Sequence, residues 1–211
     1  MSPRTFFRIV FPAALAFSSM PLPAQSLAEP TAYSVTVRYQ ITGPALRTTH
    51  RLGSKVLVDQ VPSPGIPPSA PPSQPTRTLY FLDTGRSLSW EPANPSAPCS
   101  RGSFQGDAWL DPFSGANDLT RPGVTQLGSE TVHGIAARIL VSPAKPGFRL
   151  WVDPRTGLML KAAFTPPSSQ KSILWFEVTD LHLEPPPAAL FAIPSQCAHD
   201  SEASKGAPSS N

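Results

Sequence analysis

Asp107 and Asp111 stand four residues apart around Trp109 and Leu110 in the stretch FQGDAWLDPFSGAND, the best carboxylate pair in this 211-residue chain. Two carboxylates can divide general-acid and general-base work or share a cation, but either job needs further donors within reach. None of the four histidines lies near them in sequence. A commoner use of such a pair is local: Asp107 is placed to accept from the first N–H groups of a short helix or turn. His50, His133 and His182 are isolated from one another and read as turn or strand-surface residues rather than ligands. No G-x-S-x-G elbow, H-E-x-x-H helix, phosphate-binding loop or dinucleotide glycine fingerprint occurs. The expectation is therefore no enzyme, no cofactor and no metal; a hydrolase with an unrecognised site would have to use Asp107 and Asp111.

The other residues able to act are large rings and two thiols. The tryptophans, with Tyr33, Tyr39, Tyr80 and Phe176, suit a core, and Tyr39, Trp90, Trp151, Trp175 and Phe176 are the candidate lining for an apolar ligand. Cys99 sits in the loop PANPSAPCSRG and Cys197 follows the last ordered-looking segment. Neither has a His or Cys at metal-ligand spacing, and in an exported chain two cysteines most simply form a disulfide.

Export is expected from the first 28 residues. Arg4 and Arg8 precede an apolar run from Ile9 to Phe17, followed by small residues around Ala24 and Ala28. That is a secretory leader, and the run is too short to span a bilayer. Cleavage after Ala24 or Ala28 fits, with Ala28 preferred because Ser26 takes the −3 position. Losing Arg4 and Arg8 leaves fifteen basic against fourteen acidic groups, a net charge of +1, so there is no electrostatic case for nucleic acid. No later run is long enough to cross a membrane. The expected location is periplasmic or secreted.

The elements that must position these residues are strands. Leu150–Phe164, LWVDPRTGLMLKAAF, reads as a β-hairpin around DPRTG: Pro154 presets φ, Asp153 accepts from the turn backbone, and Gly157 takes the left-handed conformation. Thr31–Thr42 alternates cleanly, with Tyr33, Val35, Val37, Tyr39 and Ile41 on one face. Arg47–Val58 is taken as one further strand with a basic, solvated edge. Val61–Pro75 is proline-dense and reads as an extended loop. RTLYFLD and RSLSW pair around Asp83-Thr84-Gly85, and TQLGSETVHGIAARILV around His133-Gly134. In the last strand, Ser172–Leu183, Trp175 falls on the face of Ile173 and Glu177, and Phe176 on that of Leu174 and Val178. The apolar run Ile173–Phe176 predicts burial on both faces there. AALFAIP forms a helical turn that caps the sheet, and 199–211 is a polar tail. The count is eight or so antiparallel strands in one domain, 29–198, mainly β with little helix. So many strands curl, and no long amphipathic helix is available to fill the hollow.

Three segments resemble the LolA/LolB/RseB-like group of exported bacterial proteins. They are Gly128–Gly134 (GSETVHG), Leu150–Leu158 (LWVDPRTGL) and Ala189–Pro194 (ALFAIP). The GDAWLDPF stretch, the cysteines and the ending IPSQCA look like an uncharacterised, exported branch of that group. The resemblance implies a curved antiparallel half-barrel. For the carriers of the group it implies an apolar cavity that holds acyl chains, and for the sensors, recognition of mislocalised lipoproteins. Helices that plug the carriers' half-barrel have no counterpart between Arg47 and Thr78, where prolines stand instead. Two functions follow as expectations. One is an exported binding protein taking a lipid or lipoprotein acyl chain on the concave face; the other is a protein-interaction or structural envelope protein with a filled core.

Overall fold

The computed structural model describes residues 30–40, 45–62, 74–105 and 112–198. The leader, most of the proline-rich stretch, the Asp107–Asp111 pair with Trp109, and the tail from 199 lie outside them.

Among the described residues, eleven strands form one antiparallel, unclosed sheet, mainly β and consistent with a curved half-barrel. Strands β1 (Ala32–Tyr39), β2 (Leu46–Leu52), β3 (Lys55–Val61), β4 (Thr76–Phe81), β5 (Arg86–Trp90) and β6 (Ser100–Ser103) run outward as one meander. A second meander of β7 (Thr125–Val132), β8 (Ile135–Val141), β9 (Phe148–Val152), β10 (Met159–Phe164) and β11 (Ile173–His182) returns from the other edge and pairs β11 with β1.

Turn chemistry sets the hairpins. Asp153, buried, accepts from the Arg155 N–H at 3.0 Å and the Thr156 hydroxyl at 2.9 Å, and Gly157 has φ +76°. His133 and Gly134 both have positive φ, at 49° and 78°, as a tight two-residue hairpin turn requires. Gly53, at φ +60°, breaks the expected strand Arg47–Val58 into the hairpin β2–β3: the glycine that argues against a helix there also makes, with Ser54, a turn. That hairpin and β6, which lies inside the cysteine loop, raise the strand count above the eight expected.

Alternation on β1 defines an inner face carrying Tyr33, Val35 and Val37, all buried, and an outer face carrying Ser34, Thr36 and Arg38. The chain must pass from the β6 edge to the β7 edge, and Pro112–Thr120 makes that passage across the inner face. Phe113 in this segment meets the Tyr33 ring edge-on at 4.8 Å. A short helix, α1 (Gly115–Thr120), follows and seats on the β9–β10 turn, where Gly115 approaches Gly157 and Val152 closely. Among the described residues, the C-terminal segment covers the outer face over β3–β6. There the 3-10 turn Ala188–Phe191 and the short α2 (Ser195–Ala198) lay Phe191 against Leu57, Leu79, Leu88 and Trp90. The Cys99–Cys197 disulfide closes over this cluster, spanning 98 residues of chain.

Strand β11 departs from simple alternation twice. Thr36 pairs with Asp180 but Val37 with Val178, so Thr179 is an extra residue. Ala162 pairs with Phe176 but Ala163 with Leu174, so Trp175 is another. The run Ile173–Phe176 is therefore not buried on both faces. Ile173 is 43% exposed, and the bulge instead brings Trp175 onto the inner side beside Phe176.

Candidate functional site

Between the inner face and the crossing segment lies a cavity of about 610 Å3. Val35, Val37 and Tyr39 of β1 form its floor, with Leu150 of β9 and Met159 of β10. Pro112 and Ser114 of the crossing segment contribute to the opposite side. At the end where β1 stops and β9 and β11 begin, the wall is aromatic. Tyr39 and Phe176 rings are 5.9 Å apart, Phe176 and Trp175 5.6 Å, and Trp175 and Phe148 5.2 Å. Rings in contact at these distances hold one another, so the wall is preformed rather than assembled by a ligand.

The polar part of the lining is small: Thr49 and Ser114, and two cations, Arg47 on β2 and Lys145 in the β8–β9 loop. Lys145 Nζ lies 3.3 Å from Asp118 on α1. Asp118 is 3% exposed and also meets Arg121 at 3.3 Å, so two cations share one carboxylate. No carboxylate is among the described residues that line the cavity.

Of the rings expected to line a site, the structure brings Tyr39, Trp175 and Phe176 together at the cavity. Trp90 lies in the outer-face cluster with the disulfide. Trp151 follows Leu150 on β9 and so points to the outer face, where its ring N–H donates to Glu130 Oε2 at 2.6 Å and Lys161 stacks over it. That hydrogen bond, with help from Lys161, holds the Glu130 carboxyl below its usual pKa. Phe148, Met159 and Leu150 complete the apolar wall.

Sequence reasoning also missed an outer-face array. The β1–β2 register sets Ser34 opposite His50, with Ser34 Oγ 2.7 Å from His50 Nδ1. His50 Nε2 is 4.0 Å from Asp59, which Arg77 clamps with both Nε and Nη2, the latter at 2.9 Å. The three side-chain types are those of a hydrolytic triad, yet the geometry is not. A 4.0 Å separation is no hydrogen bond, and Ser34 sits mid-strand with both neighbours paired, so its backbone N–H is held in the ladder and cannot serve an oxyanion. The array is a polar seam across the strands. Among the described residues no three His, Cys, Asp or Glu side chains gather as a metal would need, and no helix is long and apolar enough to cross a membrane.

Burial lowers the pKa of His50 below 6.5; Asp59 pulls it back up and Arg77 pushes it further down. A histidine harder to protonate folded than unfolded contributes stability that is intact above pH 6.5 and is lost as the pH falls through the lowered value. Urea midpoints measured between pH 7.5 and 5 should therefore fall for the wild type. His50→Asn, whose amide can meet Ser34, should flatten that fall; parallel curves for the two proteins would refute the assignment.

No protein-family model matches the chain, and no curated protein matches it. Among solved structures it is similar to an uncharacterized conserved protein from Thermus thermophilus, with a TM-score of 0.51 and 12% identity over 80% of this chain and 88% of that one. The MucA/MucB complex of Pseudomonas aeruginosa matches over 79% of this chain and 56% of the other, at 19% identity and a TM-score of 0.38. MucB by itself matches over 81% of this chain and 60% of the other, at 16% identity and a TM-score of 0.38. At such identities the likeness is one of fold alone: this chain shares the open, antiparallel sheet architecture of the Thermus protein.

Proposed function

We propose that this chain is an exported binding protein that holds an apolar ligand, a lipid or the acyl part of a lipoprotein, between its sheet and the Pro112–Thr120 segment. The observation that carries this is the cavity of about 610 Å3 with an aromatic and aliphatic wall. Its volume falls inside the range of roughly 300–1,000 Å3 typical of small-molecule sites. Burying an acyl chain there gains about 0.8 kcal/mol per CH2 before the cost of ordering it. Tyr39, Trp175 and Phe176 are the ring contacts. A disulfide of this kind suits an oxidising compartment, which supports a periplasmic or secreted location.

Native mass spectrometry of the protein purified from its own envelope should show bound lipid. Val37→Trp, which grows into the empty volume, should cut uptake of a fluorescent fatty acid at least about tenfold and cost no more than about 1 kcal/mol of stability. Clean apo spectra, together with unchanged uptake by Val37→Trp, would sink the reading.

A second reading is favoured by β7. It is an eight-residue edge strand, mostly exposed, with Leu127 55% exposed, and such an edge can accept a strand from another envelope protein. Leu127→Lys should then abolish co-purification of that partner and leave fatty-acid uptake alone; loss of uptake in that variant would count against an edge-docked partner.

A further inference from the structure

We propose that the cavity takes a single acyl chain ending in an anionic group, whose charge is met at one flank by a cation of the lining, Lys145 or, at the opposite flank, Arg47. This rests on the cavity reading above and narrows the ligand by size and by charge. At roughly 30 Å3 per water-sized group, about 610 Å3 accommodates on the order of 20 non-hydrogen atoms. That is one chain and a small head, not two or three chains.

The charge argument is independent of the size. The described lining holds two cations and no carboxylate. Arg47 projects from β2 at one flank of the five strands that form the site, and Lys145 comes from the β8–β9 loop at the other. Lys145 is engaged by Asp118, but Arg121 holds the same carboxylate, so this flank carries one positive charge more than it neutralises. The Lys145 side chain is 44% exposed, so a head group meeting it stays partly hydrated while the chain runs inward against Val35, Val37 and Leu150. A guanidinium offers five donors in a planar fork and can serve a carboxylate or phosphate beside its other contacts. A neutral lipid would offer neither cation a charged partner, whereas an anionic head adds a charge-assisted contact to those a cation already has.

The test uses the intact disulfide-bonded protein, with binding measured calorimetrically at pH 8 below the micellar range for three probes: dodecanoate, 1-dodecanol and didodecanoyl phosphatidylglycerol. The wild type should bind dodecanoate about tenfold or more tighter than the alcohol, in line with charge-assisted hydrogen bonds, and bind the two-chain lipid more weakly than dodecanoate. The acid-to-alcohol ratio should shrink about threefold in Lys145→Gln, in which Asp118 keeps Arg121, and fall to about one in Arg47→Gln/Lys145→Gln. Equal affinity of the wild type for acid and alcohol overturns the head-group assignment and leaves the cavity reading standing. Tighter binding of the two-chain lipid overturns the single-chain assignment. Failure of all three probes to bind overturns the cavity reading as well. The wild-type comparison is decisive even where the double variant does not fold.

Discussion

Breaking the Cys99–Cys197 bridge is expected to destabilise the protein by about 4–5 kcal/mol and to lower its melting temperature by on the order of 10 °C. The bridge spans 98 residues, so its removal returns nearly the whole loop-closure entropy of the domain to the unfolded chain. A second consequence is local. The C-terminal strap of Ala188–Ala198 covers Leu57 and Leu79, both 0% exposed, along with Leu88 and Trp90. Without the disulfide the strap is held by Phe191 packing and by the Arg101 guanidinium donating to the Cys197 carbonyl at 2.8 Å. Cys99→Ala/Cys197→Ala, or the reduced wild type, should show the lower melting point, stronger dye binding to exposed apolar surface, and faster proteolysis after Leu183. The cavity lies on the opposite face, so ligand uptake below the new melting point should persist. Oxidised and reduced proteins melting within 2–3 °C of each other, by the roughly 2–4 °C per kcal/mol expected of a domain this size, would show that the bridge contributes little.

Gly157→Ala is expected to cost about 3–4 kcal/mol, more than its one methyl group would suggest. Gly157 has φ +76°, where a Cβ strains the backbone by about 1–2 kcal/mol. The added carbon would also lie 2.5 Å from Ala116 Cβ and 2.8 Å from Ala116 N, contacts with α1 that only backbone movement can relieve, for about 1–3 kcal/mol more. Gly115→Ala should behave alike, since its Cβ would stand 2.7 Å from the Gly157 carbonyl and 2.8 Å from Val152. These two glycines are where the crossing segment docks on the β9–β10 turn, and that segment walls the cavity through Pro112 and Ser114. Either substitution should therefore weaken ligand uptake together with stability, whereas a loss of stability with uptake intact would mean that the crossing segment is no part of the site. Denaturant unfolding and fatty-acid titration on the same preparations separate the two outcomes.

Much of the sheet was legible from residues a few positions apart. The DPRTG and His133-Gly134 turns, the Asp83–Gly85 turn and the alternation of β1 all stand where the pattern put them, because φ preference and side chain-to-backbone hydrogen bonding act within a turn. Between Arg47 and Val58, Gly53 and the β-branched end both argue for a strand over a helix, but a glycine disfavours a helix and makes a turn for the same reason, its access to positive φ, and the structure has a turn there. The candidate site was legible in part: Tyr39, Trp175 and Phe176 reach the cavity, while Trp90 and Trp151 stand on the outer face.

What sequence alone determined, then, is an open, helix-poor antiparallel sheet and the ring-rich composition of its faces. Which ring faces which way was decided only in three dimensions. The extra residues Thr179 and Trp175 shift the register of β11 against both neighbours, and each shift reverses the face that parity would assign. The same holds for the passage of Pro112–Thr120 across the inner face and of the strap across the outer one, and for the meeting of Ser34 with His50. Those contacts join residues far apart in the chain, and nothing in a window of local sequence carries their energy.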